Sequence, residues 1–361
     1  MDRKIRVGIL GATGAVGQRF IQLLQGHPWF EIVALSASDR SEGKRYIDAA
    51  HWILDTDIPA SVRNMTLLAS SADAMSGLDN APEFVFSALP NDLAKDIEPG
   101  FARTGMYVFS NASYYRMTPD VPLVIPEINW QHLGMLKTQQ QARGWSGGIV
   151  CNTNCTVSGP VMSLKPLHDA FGVVRVFSVS MQALSGAGYP GVASLDGTEN
   201  VVPFIKGEEE KQEAETRKLL GSLNNGKIDE VSIPVSAHCN RVPVIDGHMV
   251  TVSVELGAKV TPEEAAQVLR DFSCSATAGL PTAPTCPIVV RDEPDRPQPR
   301  RDRMTGNGMS CVVGRVRREH LFGDNGIKYM TLAHNTIRGA AGGSILNAEV
   351  LVSQGFWNKN A

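Results

Sequence analysis

The amino-acid sequence predicts an α/β protein in which a doubly wound parallel sheet is followed by an α+β part with a mostly antiparallel sheet. Three observations favour this class. Apolar runs alternate with helical stretches over the first 150 residues, as in parallel βαβ units. Beyond residue 154, four stretches alternate apolar with polar or small residues, which is typical of half-buried strands. The length of 361 residues suggests two domains.

The first predicted strand runs straight into a glycine-rich turn. Residues 5–10 are apolar apart from Arg6, and they precede glycines in the spacing GxxGxxG and a helical stretch at 18–25. Such glycines let the backbone approach a pyrophosphate, and the helix N-terminus offers free N–H groups. The pattern alone also fits a plain strand–helix turn, but its flanks favour nucleotide binding. The candidate cofactor contacts are Gly11, Thr13, Gly14, Ala15, Val16 and Gly17.

The remaining elements follow from periodicity and from helix start signals. Further strands of the first part are predicted at 31–35, 83–90 and 106–110, with a helix at 92–104. Strands of the second part are predicted at 175–182, 228–235, 248–256 and 309–318, with helices at 208–223 and 261–272. Thr261 and Glu264 form a capping box. Residues 291–308 read as a long charged loop, either functional or merely solvated, and a final helix is predicted at 335–353.

Composition excludes several classes of protein. The chain is 43% hydrophobic and 20% charged with a net charge of -3, so nothing global attracts nucleic acid or anionic membranes. No apolar run approaches the roughly 18 residues of a membrane span, and the N-terminus enters a strand at once, which predicts a cytosolic protein. The six cysteines contain no CxxC pair, so neither a disulfide framework nor a metal site is expected.

Two residues are candidates for covalent chemistry. Cys155 follows a predicted strand and a polar turn, close to a helix N-terminus whose dipole would stabilise a thiolate. Cys151 lies nearer the end of the strand, where no helix dipole would stabilise a thiolate. His248 shares the parity of Val250 and Val252, so it is either a core histidine or an imidazole at the rim of the sheet. Cys155 is either a nucleophile or a buried inert cysteine.

Charged and polar residues in unusual settings extend this set. Arg241 lies among apolar residues, where a guanidinium needs a carboxylate or phosphate partner. Glu208 and Lys211 are three residues apart on a predicted helix, a spacing that usually gives a surface ion pair. Gln182 ends a strand and precedes a second glycine-rich turn at 185–188.

Taken together, these motifs resemble the aspartate-β-semialdehyde dehydrogenases of fungi and archaea. The resemblance runs through the whole chain, in the right order. Its marks are GATGAVG (11–17), NAS (111–113), NTNCT (152–156), QALSG (182–186), KGEEEK (206–211), RVPV (241–244), GH (247–248) and NTIRGAAG (335–342).

The resemblance implies an enzyme that reversibly reduces β-aspartyl phosphate to aspartate semialdehyde, through a thioester, in the aspartate pathway to lysine, threonine, methionine and isoleucine. Cys155 would be the nucleophile, a role that suits a thiolate, and His248 the acid/base that takes the thiol proton. Gln182 would orient the acyl group. The implied substrate receptors are Arg241 for the α-carboxylate, Glu208 for the α-ammonium, Lys211 and Arg116 for phosphate, and Asn154.

The resemblance also implies the organisation of the molecule. A Rossmann-like cofactor domain would comprise residues 1–154 and 335–361, and a catalytic and dimerisation domain residues 155–334. The C-terminal helix would return to the first domain, and the second domain would build a homodimer or a dimer of dimers. Further implied cofactor contacts are Ser87, Ser185, Gly186 and Asn335.

The cofactor is predicted to be NADP. Asp39 lies about 20 residues beyond the glycine turn, where an acid would favour NAD. Four neighbouring residues could instead receive a 2′-phosphate, namely Ser36, Ser38, Arg40 and Lys44. The alternatives are a related reductase of N-acetyl-γ-glutamyl phosphate or malonyl-CoA, and a non-catalytic nucleotide-sensing protein. Arg241 and Glu208 together favour an amino-acid substrate, because only such a substrate needs both receptors.

Overall fold

A seven-stranded parallel sheet forms the first part of the molecule. The computed structural model describes residues 3–357. The strand order is β3-β2-β1-β4-β5-β7-β6, and every neighbouring pair is parallel, which confirms the predicted sheet. The strands are β1 (Ile5–Leu10), β2 (Phe30–Ser36), β3 (Leu67–Leu68), β4 (Phe84–Ser87), β5 (Tyr107–Ser110), β6 (Leu123–Val124) and β7 (Gly148–Asn152).

Helices cover both faces of this sheet. Phe84 and Phe86 of β4 share a core with Phe20, whereas Val85 packs with Phe101 in a second core. This alternation is the two-fold periodicity of a strand buried on both sides. The helices of this part are α1 (Ala15–Leu24), α2 (Tyr46–Ala49), α3 (Ala60–Arg63), α4 (Ala72–Ser76), α5 (Asn91–Arg103), α6 (Pro126–Asn129) and α7 (Met135–Arg143).

The second part is built on a six-stranded mixed sheet. Its order is β11-β8-β12-β15-β14-β13; the three central pairings are antiparallel and the two outer ones parallel. Helices α8 (Ser158–Phe171) and α11 (Pro262–Arg270) pack on one face. The strands are β8 (Val173–Gln182), β11 (Val235–Arg241), β12 (His248–Leu256), β13 (Ile288–Arg291), β14 (Cys311–Arg318) and β15 (Gly326–Ala333).

Three further helices and a small ribbon belong to this part. They are α9 (Ser194–Gly197), α10 (Glu208–Leu219) and α12 (Pro299–Asp302), with β9 (Ser222–Asn224) paired to β10 (Lys227–Asp229). Both bonds of the predicted capping box of α11 are present.

Two sequence predictions in this part were wrong, and one strand was missed. The single strand expected at 228–235 is β10 and the start of β11, separated by a segment that contains Pro234, which has no N–H for a ladder. Residues 291–308 are not a structureless loop, because they contain α12 and a 3₁₀ turn and bury Asp302 against Arg296. The central strand β15 was not predicted at all.

The C-terminal segment returns to the first sheet, as predicted. A π-helical turn, Ile337–Ala341, leads into α13 (Gly342–Ser353), which packs against β5 and β7. Almost every residue of α13 is buried. No helix between residues 3 and 357 has the length and apolar character to cross a membrane. The domain boundaries at 154 and 335 stay a prediction.

Candidate active site

A cavity of about 620 Å³ lies where the ends of the first sheet meet the second part of the chain. The glycine turn before α1 forms one side, and Cys155 and Asn154 lie on another. The turn that follows β8 and the start of α10 close it. Its functional lining residues are Thr13, Gly14, Ala15, Val16, Arg116, Asn154, Cys155, Ser185, Gly186, Glu208, Lys211 and Asn335.

Cys155 occupies the turn between β7 and α8, three residues before the helix begins. It is partly exposed, whereas Cys151 on β7 is fully buried. Burial raises the pKa of Cys155 to about 11; the carboxylate of Glu208 adds to this, and Arg116 opposes it. The expected resting thiolate is therefore not favoured in the protein without substrate. Position and exposure distinguish Cys155 from Cys151.

His248, the first residue of β12, faces this cysteine. Its Nε2 lies 3.3 Å from Cys155 Sγ, and its Nδ1 accepts a hydrogen bond from the backbone N–H of Ala183 at 3.0 Å. A nitrogen that accepts from an N–H carries no proton, so the neutral ring has its hydrogen on Nε2. Burial, with the nearby Arg241 and His334, lowers the pKa of His248 to about 3. The ring is thus a neutral donor aimed at the sulfur.

Gly186 lies directly over His248 and Arg241. A Cβ on this glycine would come within 2.8 Å of Arg241 Nη1 and 2.9 Å of His248 Cε1. Both side chains are buried, and neither reaches the cavity lining directly. The absence of a side chain at this position lets the turn after β8 cover them closely.

Arg241 ends β11 as a buried guanidinium without an acid partner. Its Nη1 donates to the carbonyl of Ala183 at 2.7 Å, and no carboxylate within residues 3–357 lies at ion-pair distance. Burial lowers its pKa. The expected need for an anionic partner is therefore not met by the chain itself.

Glu208 and Lys211 form a partly buried pair rather than a surface one. Lys211 Nζ donates to Glu208 Oε1 at 2.9 Å, and Asn154 Nδ2 donates to both carboxylate oxygens. Glu208 is thereby joined to the residue that precedes Cys155.

Gln182 lies apart from the cavity. It is buried at the end of β8, and its amide donates to Ser180 Oγ at 3.3 Å. The cavity lining does not include it.

The cofactor side of the cavity is formed by the glycine turn. The N-cap Gly14 provides no side-chain bond to the first N–H groups of α1, and these groups can receive a phosphate. Gly11 has φ +70, and a Cβ there would meet Ala88 O at 2.8 Å. Gly11 is therefore required for the close packing of this turn against the segment that follows β4.

The residues expected near a 2′-phosphate divide into two groups. Ser38, Arg40 and Lys44 are exposed beyond the end of β2, and Asp39 lies in a turn closed from Ser41 N to Ser38 O. Ser36 is fully buried, and its hydroxyl bonds that of Ser70 at 2.9 Å. Ser87 is also fully buried. Ser36 and Ser87 were therefore misplaced as cofactor contacts, because strand pairing turns their side chains inward.

Two family models cover most of the chain. Residues 6–136 match the NAD-binding domain of semialdehyde dehydrogenases, and residues 164–338 match the dimerisation domain. The aspartate-semialdehyde dehydrogenase of Archaeoglobus fulgidus is 52% identical over 96% of this chain and 98% of its own. That of Schizosaccharomyces pombe is 47% identical over 97% and 99%. The chain belongs to the aspartate-semialdehyde dehydrogenase family.

Solved structures agree with this family. The aspartate-semialdehyde dehydrogenase of Candida albicans with NADP superposes with a TM-score of 0.88 at 42% identity, covering 98% of this chain and all of that one. Aspartate-semialdehyde dehydrogenase II of Vibrio cholerae, complexed with ASA, gives 0.76 at 26%, covering 97% and 98%. The resemblance to the fungal and archaeal branch is confirmed.

Within this family frame, the structure adds a residue that the sequence analysis missed. Glu215 on α10 accepts from Arg116 Nη1 at 3.0 Å, from Thr153 Oγ1 at 3.0 Å and from Asn154 N at 2.7 Å. One buried carboxylate thus joins the expected phosphate arginine to the turn that carries Cys155. The signal was its spacing, since seven residues from Glu208 is two helical turns on the same face.

The π-helical turn was missed as well. A Cβ on Gly339 would come within 2.8 Å of both Cα and Cβ of Cys155, and Asn152 Nδ2 donates to the carbonyls of Gly339 and Ala340. The turn therefore forms a wall behind the nucleophile, where only glycine fits. This segment was among the motifs that resemble the family, but its sequence has no periodicity that predicts a π-helix.

Proposed function

We propose that the chain catalyses the NADP-dependent, reversible reduction of β-aspartyl phosphate to aspartate β-semialdehyde, through a thioester on Cys155. This reaction belongs to the biosynthesis of aspartate-family amino acids. The observation that carries the proposal is the 3.3 Å contact between Cys155 Sγ and His248 Nε2, set beside receptors for both an acid and an amine. Membership of the family indicates the reaction, and the geometry supports the roles proposed for Cys155 and His248.

In the biosynthetic direction, Cys155 Sγ attacks the acyl phosphate carbon and a thioester forms. The leaving phosphate can take the thiol proton, so this step does not require His248 to become protonated. When bound, the reduced nicotinamide supplies a hydride that converts the acyl carbon to the aldehyde level. His248 Nε2 donates a hydrogen bond, first to the sulfur and then to the oxygen of the thiohemiacetal. Taking the thiol proton would instead require His248 to give up its bond to Ala183. Collapse of the thiohemiacetal breaks its C–S bond and releases the semialdehyde, and the thiolate of Cys155 takes a proton from water.

The substrate receptors are assigned by charge. Arg241 keeps N–H groups beyond the one bonded to Ala183 O for an α-carboxylate, which reaches them only if the turn that carries Gly186 moves aside. Glu208 receives the α-ammonium. Lys211 and Arg116 hold the phosphate, and Arg116 Nε is a buried donor without a partner within the described chain. Asn154 fixes Glu208. Gln182 orients the acyl group only if its amide turns from Ser180.

The covalent step is tested by replacing the nucleophile. Cys155→Ala should lower kcat by more than about a thousandfold, a loss near 4 kcal/mol, and intact-mass analysis should no longer show an acyl adduct. Cys286→Ala removes an exposed cysteine and serves as the control. An adduct on Cys155→Ala protein, or turnover close to that of the control, would contradict the mechanism.

The preference for NADP rests on exposed groups beyond β2. We infer that Ser38 and Arg40 contact the 2′-phosphate and that Asp39 points away from the ribose. Arg40→Ala should reduce kcat/KM with NADP about tenfold or more, because a charge-assisted bond is lost, and should leave NAD nearly unchanged. Arg63→Ala is the control at another exposed arginine. Equal kcat/KM with NAD in the unaltered protein would assign the ribose to Asp39.

The assembly is proposed from the second part of the chain. We infer a homodimer, or a dimer of dimers, that pairs through the domain comprising residues 155–334, with residues 1–154 and 335–361 as the cofactor domain. The cysteines between residues 3 and 357 form no disulfide, which fits a reducing compartment such as the cytosol.

A further inference from the structure

A second cavity, of about 560 Å³, lies beside α1. We call it the α1 cavity. One face of α1 and the segment 53–56 form one side, and residues 245–246 and 303–307 of the second part form the other. Only three of its lining residues, Ala15, Ser185 and Thr336, also line the active-site cavity. The α1 cavity is therefore a separate compartment that touches the first at one edge.

Its wall carries charges of both signs. Arg19 and Arg303 supply two cations, and Asp55 and Asp246 supply two carboxylates. Among the described residues, none of the four forms an ion pair within 4 Å. Arg19 donates only to the neutral Gln22, at 2.7 Å. Opposite charges thus share one cavity without neutralising each other in contact.

Buried polar atoms in the same wall also lack partners within residues 3–357. They are Arg19 Nε, His334 Nδ1 and Thr336 Oγ1. His334 is only 2% exposed, and a buried polar atom without a hydrogen bond is costly. Burial lowers the pKa of His334 to about 4, so its ring is neutral and can donate or accept. A polar ligand in the cavity would satisfy these atoms.

We propose that the α1 cavity binds a free α-amino acid as a zwitterion. The carboxylate pairs with Arg19 and Arg303, and the ammonium pairs with Asp246 and Asp55. A simple anion would satisfy the arginines and leave the carboxylates unmatched, and a simple cation would do the reverse. Only a small ligand that carries both charges can pair with the two arginines and the two carboxylates together.

Two hydrogen bonds connect the edge of the α1 cavity to the residue that precedes His248. Asn335 Nδ2 donates to Ser185 Oγ at 2.8 Å, and Asn335 Oδ1 accepts from Gly247 N at 2.8 Å. Gly247 immediately precedes His248, and Ser185 lines both cavities. An amino acid bound here lies within a short chain of bonds from the imidazole.

Binding is measured by isothermal titration calorimetry and by the shift in thermal unfolding, with a panel of common α-amino acids. The substrate receptor Arg241 would also bind amino acids, so the measurement uses Arg241→Ala protein and needs no turnover. We expect at least one amino acid to bind one-to-one, and the acid lacking its amino group to bind at least about tenfold more weakly.

Variants in the wall test the assignment. Arg303→Gln and Asp246→Asn, each in the Arg241→Ala background, should raise the Kd about tenfold or more. Arg301→Gln changes an exposed arginine two residues away and should leave the Kd unchanged. The proposal is overturned if no amino acid binds Arg241→Ala protein, if Arg303→Gln and Asp246→Asn bind as the control does, or if inorganic phosphate binds equally well. None of these outcomes bears on the Cys155 mechanism.

Discussion

At the residue scale, Glu215 is the group on which the arrangement of the site most depends. Its two oxygens divide their bonds, one holding Arg116 and the other holding Thr153 and Asn154 N. The carboxylate both neutralises the phosphate arginine and fixes the turn before Cys155. Removing the charge of Glu215 should therefore slow the reaction without weakening the binding of phosphate.

Glu215→Gln should lower kcat at least about tenfold, because an amide cannot accept at both sites and the turn loosens. The KM for phosphate should not rise, since Arg116 loses its neutralising partner. Steady-state kinetics in the oxidative direction, with phosphate varied, measures both. Glu210→Gln, exposed on the same helix, is the control. A rise in KM with kcat unchanged would assign Glu215 to phosphate binding alone.

The buried carboxyl group of Glu98 should make the stability of the fold depend on pH. It is fully buried on α5, Ser110 Oγ donates to its Oε1 at 2.7 Å, and burial raises its pKa from the usual 4.5 to about 7. The folded protein therefore holds this proton more tightly than the unfolded chain. The stability it contributes is complete below about pH 4.5 and is lost as the pH rises through about 7, by up to about 3 kcal/mol.

Glu98→Gln should remove this dependence. We expect it to match the unaltered protein in free energy of unfolding near pH 5 and to exceed it near pH 8, because the amide stays neutral. Urea unfolding across that range gives the comparison, with Asp96→Asn on the exposed side of α5 as the control. An unchanged pH slope in Glu98→Gln would show that another group carries the proton.

At the element scale, two glycines of the same turn serve different purposes. A Cβ on Gly17 would clash with the carbonyl of Gly11 and come within 2.7 Å of Ala12 Cα, whereas a Cβ on Gly14 meets nothing closer than 3.4 Å. Gly17 is needed for packing between the turn and α1. Gly14 lines the cavity and is needed for access to it.

Gly17→Ala should destabilise the fold by about 1–3 kcal/mol or more, since backbone atoms must move. Gly14→Ala should change stability by less than about 0.5 kcal/mol but weaken NADPH binding about tenfold or more, because the methyl group occupies the phosphate approach. Urea unfolding and NADPH fluorescence titration separate the two effects. Equal behaviour of the two variants would refute this division of roles.

The elements that could be predicted from sequence are those with a local signal. The capping box of α11, the alternation of β12 and the glycine turn before α1 depend on residues close together in the chain. The boundary between β10 and β11 and the order inside 291–308 depend on distant contacts, such as Asp302 with Arg296. Residues Cys155, His248, Glu208 and Arg241 lie close together, but burial shifts the pKa values of Cys155, His248 and Arg241, and no motif contains that information.

At the scale of the whole molecule, α8 and α11 cover one face of the second sheet, and within residues 3–357 no helix packs on the opposite face. Val174 and Phe177 of β8 are 41% and 39% exposed there, and Phe177 contacts the ring of His238. Apolar side chains on an uncovered sheet face indicate an interface, in agreement with the dimerisation-domain match.

Phe177→Glu should shift the protein towards a monomer, because a charge would be buried against the partner. Sedimentation velocity measures the change in mass. Leu321→Glu, at a residue 83% exposed away from this face, is the control. A dimer that survives Phe177→Glu unchanged would move the interface elsewhere.

The return of α13 to the first sheet has a consequence for synthesis on the ribosome. The first sheet has one face that Ile345, Ala348 and Val350 complete, and these residues are translated after the whole second sheet. A nascent chain would thus carry a half-covered parallel sheet through most of its translation, while the later second part can already collapse around α8. Exposed apolar surface of this kind is what chaperones recognise, so the N-terminal half, though made first, would be the last to mature.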